Sequence, residues 1–433
     1  VRKIWLITGG VAVAAGVGVA AALIVGGDGG ATPGPTSELS PTASPAITAS
    51  EGPPLPEPSP AAEGAFPVPA YPASAIPWLE VGPGWFLVDW AEAGVSAGTN
   101  VLVGPDGSVY ATGAGWDRTR SWAMDWVSGG LAVFQNTMPE GEEYGEWATG
   151  DVSIIDLQSG AVQAYATGID DPGWNWETAD GTYIGNMSGG DGTEATATKD
   201  GTSLGWYCWG YGRTDLSPGG GRLVCLQGRE DGQTDVVLAG TTGPSSESVI
   251  DVFSRGVFDY SIAGWLDADT FLLSRPEQGT HDDYIVWEGN QGFAQVPAGD
   301  GAAYFAYNVA TRTIADFALP FTGAYGDVDF YSRSDVFAAR SMDATRADFF
   351  SGAGAAIASV DCAAALAASR VESVEVSGRR ALVTCGDLFS PSGGGEAALV
   401  LVDLDEGTAV TLGPVDGQAS SVWLRAFPYP EAY

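Results

Sequence analysis

Basic residues are scarce in this chain. Lysine and arginine together number 18 against 54 aspartates and glutamates, giving a formal net charge of -36, and no basic residue stands between Lys3 and Arg118. A surface of that sign repels a phosphate backbone, which argues against nucleic acid as a partner. The acids are spread along the sequence rather than gathered in a tail, as on a soluble surface that resists association. Histidine occurs once, as His281 in EQGTHDDY. That excludes a multi-histidine metal set, and the flanking Asp282 and Asp283 mark a hydrophilic loop. Cysteine occurs four times with no C-x-x-C spacing, so a zinc knuckle has no ligands. No phosphate-cradling loop is present. Long amphipathic helices are missing too; a weak AAALAASR near 363–370 is the nearest approach.

The amino terminus reads VRKIWLITGGVAVAAGVGVAAALIV, with Arg2 and Lys3 ahead of an uncharged run from Ile4 to Val25. Twenty-two helical residues would span about 33 Å, enough for a bilayer core. The two leading positive charges place that end in the cytoplasm and the rest of the chain outside. Residues 1–25 are therefore expected to be a transmembrane signal anchor. The alternative is a cleaved signal peptide and a secreted protein, since the flank is rich in small residues. Residues 26–77 hold many prolines, several acids and no basic residue. Such a composition buries too little apolar surface to offset ordering entropy and reads as a disordered, extended stalk. An even set of cysteines in an exported chain predicts two disulfides. Three connectivities are open, of which the local pairs Cys208 with Cys225 and Cys362 with Cys385 are favoured.

From 78 to 433 the chain alternates short apolar runs with Gly, Asp, Ser and Pro turns, the pattern of an all-β domain. One unit recurs: a polar residue, a large apolar residue, a short turn, then an apolar strand. It begins at Glu80, Asp125, Asn175, Asp215, Gly264, Asp329 and Glu375, with apolar members Val81, Trp126, Trp176, Leu216, Trp265, Phe330 and Val376. Seven copies predict seven propeller blades of four strands. A second hairpin places Asp156, Asn308 and Asp403 at equivalent turn positions, and SSVWLRAF near 420–427 is expected to pair with GWFLVDW and close the ring. The units W-x-x-x-G-x-L and LSPGGGRLVCL resemble the hairpins of TolB-type, WD40-like propellers. That resemblance implies a radial array of four-stranded sheets around a channel and no particular activity.

Trp126, Trp176 and Trp265 sit at the recurrent apolar position and are expected in the core. In GWYCWGYG, strict alternation would put Trp206 and Cys208 on one strand face and Tyr207 and Trp209 on the other. The remaining aromatics and their polar neighbours make a candidate ligand site: Trp116, Asp117, Arg118, Trp174, Glu177, Trp209 and Tyr211. Flat rings beside carboxylates suit a sugar, so a cell-wall glycan is one expected partner and an envelope protein another. The polar members of the repeat would form a ring of acids, or each would bond its own turn. No cofactor, metal or catalytic residue is expected. The reading is a membrane-anchored, extracytoplasmic propeller that binds, senses or scaffolds without catalysis. Its alternative is a carbohydrate-active enzyme with paired carboxylates.

Overall fold

A computed structural model describes residues 68–92, 99–113, 121–136, 149–170, 176–178, 181–189, 192–210, 214–228, 234–240, 248–253, 261–276, 284–287, 290–293, 302–366, 369–386, 397–415 and 422–430; in parts of several strands only the backbone is described. These residues fall in one compact unit, Leu55–Tyr433. The expected anchor at 1–25 and most of the stalk lie outside them. Among the described residues no helix is long and apolar enough to cross a membrane.

The fold is an all-β propeller. Among the described residues, six blades are each drawn from one contiguous stretch: blade 1 from 121–170, blade 2 from 176–210, blade 3 from 214–253, blade 4 from 261–316, blade 5 from 325–361 and blade 6 from 370–415. Each is an antiparallel sheet whose strands follow one another in chain order, and blade 4 carries an added hairpin, Tyr284–Trp287 with Asn290–Phe293. The seventh four-stranded sheet is composite. Phe86–Glu92, Thr99–Val103 and Val109–Ala111 supply three strands, and Val422–Pro428 supplies the fourth from the far end of the chain. The pairing runs from Phe86 with Pro428 to Glu92 with Val422, so the predicted contact between SSVWLRAF and GWFLVDW is the ring closure.

The repeat marks the turn between the first and second strands of a blade, and Trp126, Leu216 and Trp265 at its apolar position are buried. Six of the seven copies occupy that place. The copy at Glu80 does not: Glu80 is exposed in a turn, because this closing blade takes its first strand from Val422–Pro428. Val81 still packs against the seam with blade 1. First strands adjoin one another around the ring, 214–216 beside 261–265, 261–265 beside 325–331, and 422–428 between 370–377 and 121–127. They therefore line the centre, and fourth strands form the periphery. Thr313–Asp316, a fourth strand, is exposed throughout, whereas Leu131–Phe134 and Ala381–Gly386 in second strands are buried throughout. Apolar side chains fill the seams between neighbouring sheets; Trp265, Phe271 and Tyr307 of blade 4 meet Val224 and Val236 of blade 3.

Gly264 shows why one copy lacks a polar residue. Its φ is +121°, and a Cβ there would collide with the carbonyl oxygen of Phe330 on the adjoining first strand. Only glycine permits that approach. The acids at the equivalent position bond locally where their partners are resolved: Asp125 and Asp215 accept from the amides of Trp126 and Leu216 at 2.7 and 2.8 Å. Asp156, Asn308 and Asp403 do occupy one turn type between third and fourth strands. Each side-chain oxygen accepts backbone N–H groups two or three residues on.

Cys362 opens a single helical turn, Cys362–Ala365, and is bridged to Cys385 in the second strand of blade 6. Cys225 is also disulfide-bonded; the side chain of Cys208 lies outside the described residues. The alternation expected in GWYCWGYG is interrupted. Trp206 pairs with Thr196 and Cys208 with Ala195, so Tyr207 is the extra residue of a β-bulge and the strict two-residue period fails there.

Candidate binding face

Antiparallel strands taken in chain order sort the connections onto two faces. Turns between first and second strands and between third and fourth open on one face; all others open on the opposite one. The first group is short, the longest being 241–247. The second contains every longer connection: 112–120, 137–148, 277–301, 317–324, 362–369 and 387–396. One face is thus turned tightly and the other carries the longer connections.

The short-turn face is knitted across the seams. Ser128 of blade 1 donates its amide (2.9 Å) and hydroxyl (2.6 Å) to Glu177 of blade 2. Arg222 of blade 3 reaches Asp269 and the Ala268 carbonyl in the turn of blade 4. Arg379 of blade 6 donates to Ser334 O of blade 5 at 2.7 Å. Arg380 donates to Pro105 O of the closing blade at 2.9 Å and pairs with Asp403 at 2.8 Å. Gly84 N donates to Ser377 Oγ at 2.9 Å. Burial, with the Glu177 charge next, pushes the neighbouring Tyr183 hydroxyl well above the ordinary phenol range.

Of the seven candidate residues, Glu177 and the backbone of Trp209 are described. Glu177 ends the first strand of blade 2 and clamps a turn on the short-turn face. Trp209 lies near the end of Thr202–Gly210, the outermost strand of that blade, which runs out on the opposite face; its side chain lies outside the described residues. Trp116, Asp117 and Arg118, Trp174, and Tyr211 also lie outside the described residues, in connections joining a fourth strand to the next first strand. Trp209 accordingly belongs to a peripheral strand.

On the face with long connections, 317–324 is described in full. Phe321 stacks on Phe350 with centroids 3.9 Å apart and planes 3° from parallel. Between this connection and the outer strands of blade 4 opens a cleft of about 510 Å³ bordered by Phe317, Phe321, Asp316 and Thr322. Tyr304 contributes to its wall, with its hydroxyl buried and unpaired. Burial, and then the charges of Asp327 and Asp329, push that hydroxyl far above the usual phenol value. Sequence reading passed over this cleft, although FALPFTGAY concentrates aromatics around a proline and a glycine as a shaped connection does.

The absence of a G-x-S-x-G nucleophile elbow is part of the non-catalytic expectation, yet GTSLG at 201–205 does fit those letters. The chemistry needs a strand-to-helix turn that thrusts the serine outward. Here Gly201 makes a hairpin turn and Thr202–Gly210 is a strand, so the stretch is a blade hairpin. Among the described residues no group of three or more His, Cys, Asp or Glu side chains is placed to hold a metal ion.

Sheet topology and faces define the class as a β-propeller. TolB from Acinetobacter baumannii is similar in fold, at 11% identity, TM-score 0.39, over 80% of this chain and 67% of that one. So is a putative 6-phosphogluconolactonase from Bacteroides uniformis, at 10% identity, TM-score 0.46, over 78% and 99%. The β-propeller domain of the trilobed protease from Pyrococcus furiosus matches at 11% identity, TM-score 0.43, over 67% and 83%. No family model matches the chain, and no curated protein matches it in sequence. Likeness at this level concerns fold alone.

Proposed function

We propose that this chain is a non-enzymatic binding or sensory module of the bacterial cell envelope, with all seven sheets forming one rigid scaffold and the face of long connections receiving the ligand. The observation that carries the reading is the segregation of every long connection to one face, opposite a face tied by polar contacts across its seams. Rigid scaffolds that offer loops at one end are built to bind. The Cys362–Cys385 disulfide supports an oxidising, extracytoplasmic compartment, and the charged start and apolar run at 1–25 support an anchor there.

A glycan of the cell wall is the favoured ligand class. Phe317 lies beside the polar groups of Asp316 and Thr322, and the sequence offers Trp116, Trp174, Trp209 and Tyr211 as further flat rings. Titration of the full chain in detergent with cell-wall polysaccharide fragments, followed by tryptophan fluorescence, tests this. Saturable quenching weakened at least tenfold by Asp316→Asn with Phe317→Ala, or by Trp116→Ala, is the expected result. A response untouched by these changes would remove the assignment. The competing reading, a carbohydrate-active enzyme with two facing carboxylates, predicts release of reducing ends from the same fragments.

A further inference from the structure

Residues 68–77 belong by composition to the proline-rich segment, yet they are packed against the propeller. Tyr71 N donates to Val109 O at 2.8 Å and Ala111 N donates to Tyr71 O at 2.9 Å, a parallel bridge onto the outer edge of the closing blade. The Tyr71 ring lies 5.3 Å from that of Tyr110. The outer strand it caps, Val109–Ala111, has three residues, so much of that edge depends on the added segment. Before the bridge, Val68 and Ala70 pack on the core shared with blade 6. After it, Ala73, Ala75 and Trp78 pack on the core shared with blade 1, and Ile76 is 6% exposed within it. The segment therefore crosses the outer edge of the closing blade and touches both of its seams.

We infer that residues 68–78 form a strap that locks ring closure from outside. The closing blade is the one sheet held together without chain continuity between its first and second strands, so it is where the ring opens most readily. The carboxyl-terminal strand fastens it at the centre, while the strap fastens it at the rim. A chain entering from a stalk thus loads the strap before it loads the pairing of Phe86–Glu92 with Val422–Pro428. This inference is independent of any ligand.

Native-state hydrogen exchange on the full chain tests it. Tyr71→Pro removes the donor to Val109 O, and Ile76→Ala trims the seam contact as a milder change that keeps the bridge. Amides of Phe86–Glu92 and Val422–Pro428 are expected to lose protection by about fivefold to tenfold in each variant, as befits one modest interaction lost. Protection in blade 5, remote from the seam, is expected to stay unchanged. Unaltered protection at the closure, or an equal loss in every blade, would overturn the strap. If Tyr71→Pro fails to fold, Ile76→Ala and Tyr71→Phe decide it, since Tyr71→Phe keeps the backbone bridge and should retain protection.

Discussion

Gly264 is a residue with a demanding environment. A positive φ and the close approach of Phe330 O coincide there, so a methyl group strains the backbone and parts two first strands at once. Gly264→Ala is expected to cost about 3 kcal/mol, read as a lowered denaturation midpoint with little change in slope. The sequence showed that a repeat position held glycine where other copies hold acids; the neighbouring carbonyl that makes glycine necessary comes from a residue 66 positions on. Glu177 teaches the same lesson. As a polar neighbour of Trp174 it is a candidate ligand carboxylate by sequence, and its partner is a turn serine in the preceding blade.

Turns are the elements whose chemistry was most legible. Asp156, Asn308 and Asp403 were identified from hairpin spacing, because a turn is settled by neighbours within a few residues. Asp343, between the second and third strands of blade 5, works alike: the Ser341 hydroxyl and the Thr345 amide and hydroxyl donate to it and lower its carboxyl from 3.8 to about 2. A carboxyl lowered on folding adds stability that is complete above its unfolded value and is lost as pH falls through its folded one. The turn is therefore expected to loosen between about pH 4 and pH 2, and Asp343→Asn should flatten the acid limb of a thermal-stability profile over that window. A profile identical to the native one would contradict this.

At the scale of the whole molecule, ring closure decides stability. Removing 422–433 takes away a strand, the buried Leu424 and Phe427, and the first-strand partner of Phe86–Glu92. The expected cost is roughly 5 kcal/mol, two apolar side chains plus lost pairing, measurable as a lower unfolding temperature that a peptide of residues 422–430 partly restores. Strand periodicity, turn residues and a recurring unit made the all-β propeller and its closing strands readable, because each rests on local pattern. Trp126 and Trp265 at the repeat position were readable as core for the same reason. The limits lay where distant segments meet. Tertiary structure alone decided that the copy at Glu80 has no first strand of its own, that Tyr207 breaks the alternation around Cys208, that 68–77 packs on the closing blade, and that Glu177 bonds a turn of the preceding blade. Local sequence sets which segments become strands and turns; which face each turn opens on, and what lies across each seam, depends on contacts between residues far apart in the chain.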